Sequence, residues 1–208
     1  MIKNKFFTLP EPSEAVAMTS MASGSFVSKY LLAHYQKVAS VKKDMKRLPE
    51  REEFFFLQSD NSFNAFTFIP VVLENQSAKR LLATTYSINK RVINALVELH
   101  QSGLVDEITL LISDTLLKRN QVTSDLLAAI NKEYANINVL FAWVHAKVCL
   151  IETKDDHYVI EGSGNWSENA YYEQYTFANC AKLFAFREKL FTEVQIRHKA
   201  INGSIIKQ

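Results

Sequence analysis

The sequence predicts an α/β domain with at least some parallel strand pairs, and three observations carry that expectation. Beyond Pro70 the 208-residue chain has no further proline. In that proline-free stretch short apolar runs alternate with amphipathic runs of helical period, the pattern of strands joined by crossover helices. The composition, 48% apolar and 22% charged, is that of an ordinary globular domain, and a chain of this length buries roughly 70% of its unfolded surface, enough for a core without disulfide or metal staples.

The elements follow in order. Residues 1–24 contain Pro10, Pro12 and a small-residue tract ending at Gly24, which predicts an irregular arm preceding a single domain over 25–208. Val27, Tyr30, Leu31, Val38, Val41 and Met45 recur at helical spacing, so a helix is expected from Ser25 to about Arg47, stopped by Pro49. The aromatic run Phe54 to Leu57, bounded by Ser59-Asp60-Asn61, reads as a buried strand. Residues 62–74 suit a helix that Pro70 would kink. Then come a strand at Leu81–Tyr86, a helix at Lys90–Gln101 with Gly103 as its C-cap glycine, a strand at Ile108–Ser113, a helix at Ser124–Tyr134 and a strand at Ile137–Trp143. A hairpin over 145–152 and 157–161 turns at Thr153 to Asp156, and a last helix runs from Cys180 to about Lys199, with Leu183, Phe184, Phe186, Leu190, Phe191 and Val194 inward.

Charge and cysteine content exclude little but direct attention. The net charge is +2, too small to argue for a polyanion partner from global charge. The first fifty residues, however, hold eight basic against four acidic side chains. The densest basic stretch, Lys42, Lys43, Lys46 and Arg47 with Arg51 just beyond, reads as a solvated helix face or as part of a polyanion footprint. Cys149 and Cys180 lie in apolar contexts and form no disulfide framework, no stretch reaches membrane-span length, and Pro10 to Glu14 interrupt any signal-peptide core. A reducing, cytoplasmic setting without integral membrane association is expected.

The chemistry concentrates in His145-Ala146-Lys147 and Gly162-Ser163-Gly164-Asn165. In a strand residues two apart share a face, so an imidazole and an ammonium project together, and a hydroxyl and an amide converge from the partner strand. Two of the chain's five glycines flank Ser163, leaving room for close approach of a phosphate-sized group. His145 suits a nucleophile or proton carrier, Lys147 a fixed cation, and Ser163 and Asn165 neutral donors to an oxyanion. A His-x-Lys arises by chance about 0.4 times in such a chain, but a Gly-Ser-x-Asn at a matching distance downstream only about 0.001 times. His34, His100, His157 and His198 lack metal-ligand spacing, and no metal or cofactor is expected.

These residues resemble the phospholipase D superfamily, whose signature joins His-x-Lys, an Asp and Gly-Ser-x-Asn. Here His145, Lys147, Ser163 and Asn165 match, and the similarity extends over about 54–195, including Leu81 to Ser87 and Ile108 to Ser113. The resemblance implies a mixed β-sheet flanked by helices on both faces, and a metal-independent phosphodiesterase working through a phosphohistidine on His145. The signature's Asp is Glu152 here, with nine residues between it and Gly162; strand alternation turns it away from His145, so a structural role is expected. Family members place an acidic residue shortly after the Asn, which makes Glu173 the candidate to orient the His145 ring. Trp166, Tyr171 and Tyr172 adjoin the motif and read either as core or as stacking surfaces for bases. One motif in the chain, where catalytic members combine two, implies a homodimer with the site on its two-fold axis. The expected substrate is nucleic acid, DNA or RNA; the alternatives are a phospholipid phosphodiesterase or phosphatidyltransferase, and a module that binds phosphate without turnover.

Overall fold

The computed structural model describes residues 30–35, 45–59, 65–167 and 172–208, of 30–35 and Ser59 the backbone alone. All of them except Tyr30 fall within one compact unit, Leu31–Gln208. The expected arm over 1–24 and the boundary at residue 25 lie outside the described residues.

The described strands form one mixed sheet in the order β1-β2-β8-β7-β6-β3-β4-β5-β9-β10. They are β1 (Tyr30–Tyr35), β2 (Glu53–Ser59), β3 (Ala78–Thr85), β4 (Val105–Ser113), β5 (Ile137–Ala142), β6 (Val148–Thr153), β7 (His157–Gly162), β8 (Gln174–Asn179), β9 (His198–Ile201) and β10 (Ser204–Lys207). The parallel core is β3-β4-β5, and antiparallel strands extend it on both sides. Helices α1 (Phe68–Val72), α2 (Lys90–Gln101), α3 (Thr115–Arg119) and α4 (Gln121–Glu133) contribute to the larger apolar cluster on one face, with Phe68, Ile93, Leu96, Leu116 and Leu127. On the other face α5 (Ala181–Thr192) packs Phe184 and Phe191 against Leu82, Leu111, Leu150 and Val159. Helices therefore lie on both faces, as the sequence implies.

Local chemistry explains the boundaries. Asn89 caps α2 by accepting from Val92 N at 3.0 Å, and Gly103, at φ 73°, closes the other end by donating to His100 O at 3.0 Å. Pro70 is the third residue of α1, within the first turn, where no backbone N–H is needed. The expected strand at Phe54–Leu57 is β2, though not wholly buried: Phe55 and Leu57 face the core while Phe56 is partly exposed.

Four expectations are corrected. The helix from Ser25 to Arg47 meets a strand at Tyr30–Tyr35, where a short aromatic and apolar run fits either period and the edge of β2 offers it a place in the sheet; residues 36–44 lie outside the described ones. Helix α4 begins three residues early, because Asn120 accepts from Thr123 N at 3.0 Å and so caps it. Helix α5 stops at Thr192, not near Lys199, since the chain returns to pair His198 with Phe141 of β5, and Phe186 faces solvent. Residues 145–147 precede β6: the chain leaves β5 and crosses the ends of β4 and β3 before rejoining the sheet at Val148.

Candidate active site

That crossover places the candidate nucleophile. Passing over the end of β3, it sets the His145 ring against Tyr86, the residue after β3, with ring centroids 4.9 Å apart. Thr84 Oγ1 donates to Ala146 O at 3.3 Å and helps hold the crossover down. The Lys147 ammonium lies 3.0 Å from His145 Nδ1 and donates to His145 O at 2.8 Å. The two side chains therefore meet, as their spacing predicts, although by extended connection and not by strand. The ammonium also lies 3.4 Å from His145 Nε2, and because an ammonium only donates, the ring nitrogen it engages acts as an acceptor. Burial pushes the Lys147 ammonium below the ordinary lysine value, opposed by the nearby Glu173 carboxylate and the Tyr86 hydroxyl.

The second half of the site comes from β7 and β8. Gly162 N donates to Lys147 O at 3.2 Å, which ties the two motifs together at the sheet end. Ser163 Oγ donates to the Glu173 carboxylate and accepts from Gln174 N at 3.1 Å. Glu173 is 9% exposed. The contact that defines its position is to Ser163, with a charge effect on Lys147, so its role here is to anchor the hydroxyl and favour the ammonium. Asn165 is half-buried between buried Gly164 and Trp166.

Two flanking residues have packing roles. A Cβ on Gly162 would lie 2.1 Å from Gln174 O, so the close approach of β8 requires this glycine. Trp166 is 1% exposed and packs edge-on against Phe66. Its N–H donates to Ser87 O at 3.1 Å and its carbonyl accepts from Asn89 N at 3.1 Å. It pins the Gly-Ser-x-Asn loop to the start of α2 and offers no face to a base. Tyr172 is 70% exposed; Tyr171 lies outside the described residues.

Of the basic cluster, the described residues Lys46, Arg47 and Arg51 are not brought to the site. Arg47 makes a two-pronged contact with Glu53 and lies over the Phe55 ring, 5.3 Å from its centroid. Glu53 pairs with Asn179, at the end of β8 away from Glu173, five residues of strand or about 17 Å distant. Lys46 is exposed beside it at φ 60°, and Lys42 and Lys43 lie outside the described residues. Glu152 has the structural role expected: Arg80 joins it, at 2.6 Å, to Glu188 of α5, at 2.7 Å.

Sequence reasoning overlooked Tyr86, Arg119 and the cavity beside the motif. Arg119, at the end of α3, donates to the Tyr86 hydroxyl at 2.5 Å, behind the His145 ring. A cavity of about 890 Å³ opens beside Lys147 and Gly162, with Gln58, Glu161, Thr176 and Arg187 among its walls. None of these bears a motif, and only the strand order brings them together.

A family described as "Cardiolipin synthase, PLD-like domain" matches residues 73–182, more than half of the chain. The chain belongs to this PLD-like family. The match begins just before β3 and ends in α5, enclosing every motif residue. No curated protein matches the chain. Among solved structures, a polyphosphate kinase from Porphyromonas gingivalis is similar to this PLD-like domain with TM-score 0.54 at 14% identity, over 68% of this chain and 26% of the kinase. A phosphatidylserine synthase from Haemophilus influenzae Rd KW20 matches with TM-score 0.49 at 13% identity, over 69% of this chain and 39% of that one. The archaeal chromatin protein TrmBL2 matches with TM-score 0.48 at 14% identity, over 86% of this chain and 62% of that one. The PLD-like domain thus spans less than two thirds of each of these proteins.

Proposed function

We propose that this PLD-like domain is a metal-independent phosphodiesterase that cleaves nucleic acid as a homodimer. One observation carries the reading: Lys147 contacts His145, and Gly162 N, next to the Ser163–Glu173 pair, bonds Lys147 O, so a cation, a nucleophile and an anchored hydroxyl lie at one end of the sheet. Family membership supports phosphodiester chemistry in general. An arriving phosphoryl oxygen competes for the ammonium that now bonds the ring and its carbonyl, which frees an imidazole nitrogen for attack.

In the proposed reaction the neutral His145 ring attacks phosphorus and forms a P–N bond, while the P–O bond to the leaving group breaks. A protonated His145 from a second copy of the chain gives its proton to that oxygen. Water then attacks phosphorus, its proton passes to the second imidazole, now neutral, and the P–N bond breaks. Lys147 and Asn165 stabilise the charge on the non-bridging oxygens, and Ser163 joins them by turning its one proton from Glu173 to the phosphate. The adjoining cavity has polar walls (Gln58, Glu161, Thr176, Arg187) and apolar ones (Phe56, Leu57, Val148, Tyr175, Leu190), so the preference for nucleic acid over a diacyl lipid rests on the single motif in the chain, which the resemblance associates with small homodimeric nucleases. Phosphatidyl transfer is the second reading, favoured by the description of the matching family.

The test uses a small chromogenic diester and a single-stranded oligonucleotide, each with excess chelator. Hydrolysis of both is expected to survive, and a base-stable, acid-labile phosphoryl adduct should map to His145 and be missing in His145→Ala. Activity lost to chelator and restored by Mg²⁺ overturns the mechanism. Cleavage of the diester and of phospholipid vesicles, but not of the oligonucleotide, replaces the substrate class.

A further inference from the structure

Trp143 stands 70% exposed just past the end of β5, two residues before His145. Two residues of chain span at most about 7 Å, so the Cα atoms of Trp143 and His145 are close neighbours at this end of the sheet. The chain's other tryptophan, Trp166, is 1% exposed. Large aromatic surface left in water beside a reactive histidine calls for a ligand more than for a fold.

The exposed ring is also held in place. The Arg197 guanidinium lies over it, 5.7 Å from the centroid. Arg197 is fixed by Asp114 at 2.9 Å, whose side chain is largely buried, and by donation of its own backbone N–H to Phe141 O at 2.8 Å. Asp114 N donates in turn to Ala142 O at 2.9 Å. The indole therefore carries a cation buttressed by the ends of β4 and β5, and most of its surface stays open. The other side of His145 repeats the pairing, with the Tyr86 ring against the imidazole and Arg119 on the Tyr86 hydroxyl. Aromatic surface interleaved with guanidinium groups around a phosphate site matches the requirements of single-stranded nucleic acid, whose bases stack on aromatic rings while its backbone follows positive charge. A duplex does not suit the indole, because its base faces are covered by neighbouring pairs.

We propose that Trp143 is a base-stacking platform that seats the nucleobase adjoining the scissile phosphate of a single strand, with Arg197 as the fixed cation beside the ring. This rests on the nucleic-acid reading above and adds to it strand preference and a positioning residue. Stacking on an exposed indole quenches its emission, and Trp166, being buried, contributes a constant background. The titration therefore reports the contact directly, without turnover.

The experiment titrates the full chain, as His145→Ala to prevent cleavage, with oligothymidylate, with an abasic strand of equal length, with a duplex and with phospholipid vesicles. Quenching of the red-edge emission by oligothymidylate, much weaker with the abasic strand and the duplex, is expected. In the same background Trp143→Ala should bind oligothymidylate roughly 5- to 150-fold more weakly, and Trp143→Phe, which keeps a stacking face, should recover most of the loss. Equal quenching by the abasic strand overturns stacking in favour of charge alone. Binding of oligothymidylate without quenching overturns the platform while the nucleic-acid reading stands. A blue shift with vesicles and no response to any oligonucleotide overturns both in favour of a lipid. A blue shift that follows protein concentration and no ligand overturns the platform in favour of a contact between two copies of the chain.

Discussion

At the scale of the residue, Lys147 is pulled in two directions: burial disfavours its charge, and Glu173 and Tyr86 favour it. Burial wins, so the ammonium loses its proton below the ordinary lysine value of about 10.4. The cation is therefore lost as pH rises through that lowered value, sooner than for a lysine in water. KM for a small chromogenic diester should rise with pH earlier than a lysine in water would dictate. Lys147→Arg, which keeps its charge throughout, should show a flatter KM over the same range even if its kcat is lower. An identical alkaline rise in both proteins would show that the Lys147 proton is not its cause. The catalytic pair itself was legible because its spacing is a statement about reach: residues 145 and 147 face one side in any extended chain, strand or not. Tyr86 and Arg119 were not legible, because their approach to His145 depends on the crossover passing over β3. Trp166 and Gly162 looked like ligand contacts only because they flank a motif. Their real determinants are the packing of Phe66 and the closeness of the β8 backbone.

At the scale of the element, the basic segment before β2 serves the sheet. The hydrogen bonds from Arg47 hold the Glu53 carboxyl below its ordinary value, against the effect of burial. A carboxyl held low stabilises the fold fully above its unfolded value, about 4.3, and that contribution is lost as pH falls through the lower folded value. Arg47 is half exposed, which limits the pair to about 1 kcal/mol. Glu53→Gln should thus cost up to about 1 kcal/mol in denaturant melts at pH 7, with the difference shrinking towards pH 3; a difference constant over that range would assign it to packing instead. The other elements were legible in proportion to how local their determinants are. Helix α2 was read at its observed bounds because its period, its Asn89 cap and Gly103 agree. The terminal hairpin β9–β10 was overlooked although Asn202-Gly203, both at positive φ, is the strongest two-residue turn signal in the chain; the expected last helix ran to about Lys199, into the start of β9. Strand β1 and the five-residue α3 are too short for any period to decide, and only their neighbours in the sheet fix them.

At the scale of the whole molecule, the open question is how one motif makes a complete reaction, since attack and protonation need two groups of opposite protonation state at once. A two-fold interface brings the same patch of two subunits together, so a dimer would hold one composite site containing two copies of His145. His145 is exposed at the sheet end, and its neighbours Tyr86, Trp143 and Lys147 belong to loops or strand ends and not to the core; replacing it removes a surface ring and leaves both apolar clusters intact. His145→Ala should accordingly fold and pair like the native chain while being inactive. Wild-type protein co-expressed with an excess of this variant would then be captured mostly in mixed dimers, each with a single histidine. If pairing is random, activity should fall as the square of the wild-type fraction, because only a dimer with two native subunits can both attack and protonate. A linear fall would show that each chain completes the reaction alone, and would transfer the proton-donating role to a group of the same subunit.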